Sequence, residues 1–208
     1  ACSLIYQDGE LVQAVTRGDG RVGEDVTTNV RTIDSVPLSL RPNQKFAHFL
    51  RGRTEIRGEI VMYKENFEAL NQRQRLAGKP EFANPRNLAA GTIRQLDPRV
   101  VAERPLHFVG YDIIRDDLAD TPTIAFGYRM MSELGILTSR QTQIVLGVDE
   151  IMSYIEQIDD KRDKMPFNTD GVVIKLNDRN DFAELGIVGK TPRAAVAYKY
   201  AAEETTTI

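Results

Sequence analysis

The chain is 208 residues long, 41% hydrophobic and 27% charged, with a formal charge of −3. That supports one large domain or two small ones with real cores, and the apolar periodicity with low net charge excludes a disordered chain. No apolar run approaches the roughly 18 residues of a membrane span, no signal peptide is expected, and the lone cysteine, Cys2, excludes an internal disulfide framework or a multi-cysteine zinc site.

Ser3 to Tyr6 and Leu11 to Thr16 read as a β-hairpin turned by Asp8-Gly9. A glycine-rich stretch, Arg17 to Asp25, follows, and Asp25 or Thr27 is placed to cap a short helix through Arg31. Thr54 to Tyr63 alternates as a strand, and Lys64 to Ala77 reads as a helix stopped by Gly78. Asn84-Pro85 is a helix start, with a capping side chain and then proline in the first turn. Leu106 to Ile114 is a strand, and Thr123 to Leu134 a helix that ends at Gly135. Asp149 to Lys161 is an amphipathic helix with Ile151, Tyr154, Ile155 and Ile158 on one face. Gly171 to Asn177 and Ala194 to Tyr200 are the last strands. Hairpins mixed with helices, without a strict βαβ rhythm, predict an α+β fold of mainly antiparallel sheets with flanking helices.

The glycines Gly18, Gly20 and Gly23 satisfy the G-x-G-x-x-G pattern of dinucleotide sites. The preceding strand belongs to a hairpin, and Asp19, Glu24 and Asp25 would repel a pyrophosphate, so a Rossmann reading is rejected. A glycine-rich surface turn remains the plainer account.

Strand alternation carries more. In Thr54–Tyr63 one face holds Ile56, Gly58, Ile60 and Met62, and the other Glu55, Arg57, Glu59 and Val61. Val172, Ile174 and Leu176 form one apolar face and leave Val173 and Lys175 opposite. Val196, Tyr198 and Tyr200 form another and leave Ala195, Ala197 and Lys199 opposite. Either both lysines face solvent and Glu59 pairs with Arg57 or a lysine, or these faces converge on a cationic cleft with one carboxylate. The second arrangement suits a nucleotide, with lysines for phosphate and glutamate for a ribose hydroxyl. Charge is divided unevenly: residues 1–105 carry 16 Lys and Arg against 13 Asp and Glu, and residues 106–208 carry 11 against 17. Arginine outnumbers lysine by 19 to 8, which is compatible with phosphate contacts and with ordinary surface pairs alike.

A set of motifs in order resembles the adenylation domain of bacterial NAD-dependent DNA ligases. They are Thr16-Arg-Gly-Asp-Gly20 with Gly23-Glu-Asp25, Asn29-Val-Arg-Thr-Ile33, Ile56-Arg-Gly-Glu59, Phe82-Ala-Asn-Pro-Arg-Asn87, Ala89-Ala-Gly91, Arg94-Gln-Leu-Asp-Pro98, Asp170-Gly-Val-Val-Ile-Lys175, Pro192-Arg193 and Ala197-Tyr-Lys199. The resemblance spans essentially the whole chain, 1–208, as a single domain, and implies an ATP-grasp-like nucleotidyltransferase core. It implies that Arg17 contacts the nucleotide, Glu59 the ribose, Tyr111 the adenine by stacking, and Asp170 and Lys175 the adenine and α-phosphate side. It further implies that Lys199 meets the α-phosphate, and that Arg86 and Arg94 meet the phosphate of nicked double-stranded DNA.

The implied reaction uses NAD and Mg²⁺: a lysine takes AMP from NAD, AMP passes to the 5′-phosphate of the nick, and the 3′-hydroxyl displaces it. The resemblance implies that the nucleophilic lysine belongs to a Lys-x-Asp-Gly motif just upstream of the position of Ala1; the sequence contains no such motif, so the chain alone is not expected to self-adenylate. The nicotinamide-gripping, OB-fold, zinc and helix-hairpin-helix regions of such ligases have no counterpart here, so zinc is expected only outside these residues. A bacterial cytoplasmic, nucleoid-associated monomer active in DNA repair and replication is the implied setting, with a non-catalytic nucleotide or DNA-phosphate binding module as the alternative. His48 and His107 match no implied site and read as structural.

Overall fold

The computed structural model describes residues 1–20, 22–189 and 191–200. Strands β1 (Cys2–Gln7) and β2 (Glu10–Thr16) form the expected hairpin, turned by Asp8 and Gly9 at φ 52° and 83°. Two consecutive left-handed residues make the twist that a tight hairpin needs. Strands β3 (Arg53–Met62) and β4 (Leu106–Ile114) complete a four-stranded sheet in the order β2-β1-β3-β4, with every pairing antiparallel. The α+β expectation therefore holds, and the sheet contains no parallel crossover.

One face of this sheet makes the core. Leu4, Tyr6, Ile56, Met62, Phe108 and Ile113 point into it. Helix α3 (Pro85–Thr92) packs on β3, and α5 (Ile124–Glu133) brings Met130 and Met131 against β4. The helix starts follow the capping chemistry: Asn84 accepts from Asn87 N at 2.8 Å and Thr123 from Phe126 N at 3.1 Å. Helix α2 (Lys64–Leu76) closes before Gly78, whose φ of 65° only glycine adopts freely.

Several boundaries differ from expectation. Helix α1 is a single turn, Thr27–Val30, and Asp25 just ahead of it accepts from the backbone N–H and hydroxyl of Thr27, its first residue. Helix α4 (Pro98–Ala102), capped by Asp97, was not anticipated. The amphipathic helix α6 spans Gly147–Asp159, two residues earlier than expected, with Ile155 and Ile158 buried.

The larger correction lies at the end of the chain. Among the described residues strands β5 (Gly171–Lys175) and β8 (Ala195–Lys199) pair only with each other, and between them run α7 (Arg179–Leu185) and the short pair β6 (Ile187–Val188) and β7 (Thr191–Pro192). The face expected to be core is only partly so: Val172 and Ile174 are half-buried, Val196 is 63% and Tyr198 41% exposed, and Val173 on the opposite face is 59% exposed. A two-stranded ribbon is covered only where it leans on a neighbouring element, as at Lys175 over Tyr111, so alternation there does not distinguish inside from outside. Among the described residues no helix is long and apolar enough to cross a membrane.

Candidate functional site

The polar face of the four-stranded sheet carries the first group of expected residues. Cys2 pairs with both Thr16 and Gly58, so Arg17, Ala1 and Glu59 lie side by side across three strands. Arg17 N donates to Ala1 O at 3.0 Å. Arg57 does not hold Glu59; it joins Arg53 and Ser3 on Glu55. Burial works against the charge of Glu55, but these three donors outweigh it and hold its carboxyl below the usual range.

The next feature is a β-bulge. Arg57 pairs with Asp112 and Gly58 with Gly110, so Tyr111 has no partner across the ladder. An extra residue bends the strand and re-aims its side chain, which turns the Tyr111 ring out of the regular alternation. The bulge tolerates no bulk beside it: a Cβ on Gly58 would come within 2.4 Å of Phe108 Cζ, and one on Gly110 within 2.9 Å of Ile136 Cγ2. Burial, followed by the nearby charge of Glu59, raises the Tyr111 phenol above its ordinary value, so it stays protonated.

Lys175 reaches this ring from the ribbon, with Nζ 5.2 Å from the ring centroid. Burial pulls its ammonium below the ordinary lysine value, with Asp112 opposing that shift and Arg179 reinforcing it. Strand β4 and the ribbon therefore bring Tyr111 and Lys175 together beside the row holding Arg17 and Glu59.

The remaining residues lie further along. In the ribbon register Lys175 faces Ala195 and Gly171 faces Lys199, so both lysines share one face at opposite ends. Lys199 is exposed. Gly171 is required there, since a Cβ would come within 2.1 Å of Tyr198 O. Arg86, in the first turn of α3, meets Asp170 at 3.4 Å. Arg94 meets Glu24 at 3.0 Å beside a cavity of about 510 Å³ that Thr28, Asn29 and Gln95 also line. Both arginine pairs are solvent-exposed and hold their partners weakly.

The glycine-rich stretch is a tight return rather than a strand-to-helix elbow. Thr16 N donates to Glu24 O at 2.9 Å and Glu24 N to Thr16 Oγ1 at 3.0 Å, and a Cβ on Gly23 would come within 1.8 Å of Thr16 O. Arg21 lies outside the described residues.

The family model for the NAD-dependent DNA ligase adenylation domain matches residues 1–203. The chain belongs to that family. The family implies interaction with a nucleotide and with DNA. Among the described residues no cluster of three or more carboxylate, imidazole or thiol groups is built to hold a metal ion.

Two elements of the site went unread in the sequence. Gly110 inside a strand was a usable signal for the bulge. The other is a buried ion pair between Arg179 and Asp112, only 12% and 20% exposed, which ties α7 to the strand that carries Tyr111. The two residues are 67 apart in sequence, and no local pattern links them. His107 stacks on Tyr63, with centroids 3.9 Å apart, and His48 lies 3.9 Å from Asp120.

Proposed function

We propose that this chain is the nucleotide-holding core, a single adenylation domain of ATP-grasp-like type, of an enzyme that seals nicks in DNA with NAD as adenylate donor. The observation that carries the reading is the convergence of Tyr111, turned out by its bulge, with Lys175 above its ring and Glu59 and Arg17 on the adjoining row. A flat aromatic face, a carboxylate and cations set beside one another match base, ribose and phosphate in turn.

In this reading Tyr111 stacks on the adenine, and Glu59 accepts a hydrogen bond from a ribose hydroxyl. Arg17 contacts the nucleotide, and Asp170 and Lys175 border its adenine and α-phosphate side. Lys199 offsets the charge that builds on the α-phosphate as the phosphoanhydride bond of NAD breaks and nicotinamide mononucleotide leaves. By the family resemblance the attacking amine is the lysine of a Lys-x-Asp-Gly motif, which these 208 residues do not contain. Arg86 and Arg94 exchange Asp170 and Glu24 for the 5′-phosphate of the nick. Mg²⁺, when bound, adds Lewis-acid neutralisation of phosphoryl charge.

The test is the intact mass of the natural protein that carries this chain after incubation with NAD and Mg²⁺. The expected result is a gain of one AMP, lost again when Glu59→Ala or Lys199→Ala is introduced. Modification by ATP and not by NAD would reverse the donor assignment. An unmodified protein that still binds AMP would make it a binding module instead.

A further inference from the structure

We infer that Arg179 and Asn177 are positioning residues that clasp the end of the ribbon onto strand β4, and so hold Tyr111 and Lys175 in register as one base-recognition unit. The inference rests on Tyr111 being the base platform, as proposed above.

Three alternate residues leave the end of β5 and engage the sheet layer in turn. Lys175 lies over Tyr111. Asn177 then takes the start of α5: its carbonyl accepts from Ile124 N at 2.8 Å and its side-chain oxygen from Ala125 N at 3.0 Å. Both are first-turn N–H groups that the helix itself leaves without partners. Arg179 follows, with its backbone N donating to Pro122 O at 3.0 Å. Its guanidinium donates to Asp112, the residue immediately after the bulge, and to Ile113 O at 3.0 Å.

The sheet layer leaves a seat for this guanidinium. At Gly127 in α5 a Cβ would lie 3.4 Å from the Arg179 terminal nitrogen and 3.1 Å from Ile113 Cγ2, so any larger side chain there would crowd both. A buried charge pair of this kind adds little stability over apolar packing, but losing one partner leaves the other charge uncompensated. It fixes geometry, and the geometry fixed is the strand segment that aims the Tyr111 ring. Because Lys175, Asn177 and Arg179 follow one another at alternate positions of one chain segment, fixing Asn177 and Arg179 on the sheet layer also fixes where Lys175 meets the ring.

The test is a double-mutant cycle on AMP binding by the chain, read by titration calorimetry, with urea unfolding as the check on folding. Arg179→Gln is expected to weaken AMP binding about tenfold, and Tyr111→Leu by a comparable factor. In the Tyr111→Leu background, Arg179→Gln should add less than about twofold, since both changes remove one coupled unit. Arg179→Lys, which keeps one bond to Asp112, should recover part of the affinity. If Arg179→Gln does not fold, Asp112→Asn takes its place in the same cycle. Equal effects of Arg179→Gln in both backgrounds, or no effect while Tyr111→Leu weakens binding, would overturn the clasp. Absence of AMP binding by the unmutated chain, or binding indifferent to Tyr111→Leu, would overturn the platform reading itself and the clasp with it.

Discussion

Asn29 is the most informative position at which to perturb the frame around Arg94. It is buried on α1, and its side-chain amide donates to Ile93 O at 2.8 Å and Gln95 O at 2.7 Å. Those carbonyls flank Arg94 on both sides, so one amide sets the backbone from which the guanidinium projects toward Glu24. Asn29→Leu keeps the volume and removes both donors. The Ile93 carbonyl, fully enclosed, then loses its partner at a cost of about 1–3 kcal/mol, and the partly exposed Gln95 carbonyl adds about 1 kcal/mol before water replaces the bond. The sum of about 2–4 kcal/mol corresponds to a fall in Tm of roughly 6–12 °C for a chain of this size. Asn29→Asp should cost at least as much, because it sets a carboxylate against two carbonyls. Urea unfolding followed by far-ultraviolet circular dichroism measures both, with the m-value shared across variants. A midpoint for Asn29→Leu indistinguishable from the unmutated chain would refute the argument that this amide anchors the Arg94 segment.

Gly58→Ala should destabilise by about 1–3 kcal/mol, since its Cβ would meet Phe108 Cζ at 2.4 Å and the unyielding Val109 carbonyl at 2.5 Å. Gly91→Ala on α3 meets nothing within 4 Å and should stabilise by about 0.5–1 kcal/mol; the same unfolding assay compares the two signs. Burial pushes the Cys2 thiol up to about 12, so iodoacetamide at pH 8 should label it only through unfolding, and labelling of the folded chain at a free-thiol rate would contradict its burial. The linked stability is fully present below the unfolded thiol value and falls as pH rises through about 9 toward 12, by about 1.4 kcal/mol per pH unit from this group. A pH series of urea midpoints on Cys2→Ala against the unmutated chain isolates that slope.

The hairpin, the capped helices and the polar face of β3 were legible because each is decided within a few residues: Asp8-Gly9 for the turn, Asn84 and Thr123 for the starts, alternation for Glu55, Arg57 and Glu59. Alternation misled at the ribbon, where Val196 and Tyr198 are as regularly spaced as Ile56 and Met62 but find no second layer to bury them. The bulge escaped because a one-residue insertion is a relation between two strands, hidden in either strand alone. The Arg179–Asp112 pair escaped for a related reason. Each residue by itself reads as an ordinary surface charge, and only the packing of α5, β4 and α7 turns them into a buried contact.

The two ends of the ribbon are tied to the rest of the chain by different contacts. Near Lys175 it is held through Asn177 and Arg179; near Lys199 the Arg162 guanidinium lies over the Tyr200 ring at 5.4 Å and the exposed Arg86–Asp170 pair adds a second contact. Four residues separate Lys175 from Gly171, across from which Lys199 sits, so the ribbon is a lever arm of about 13 Å. A rocking of about 10° about the Lys175 end would sweep Lys199 through about 2 Å and leave Lys175 on Tyr111. The geometry of the two strands thus sets one lysine near the pivot of such a movement and the other at its tip.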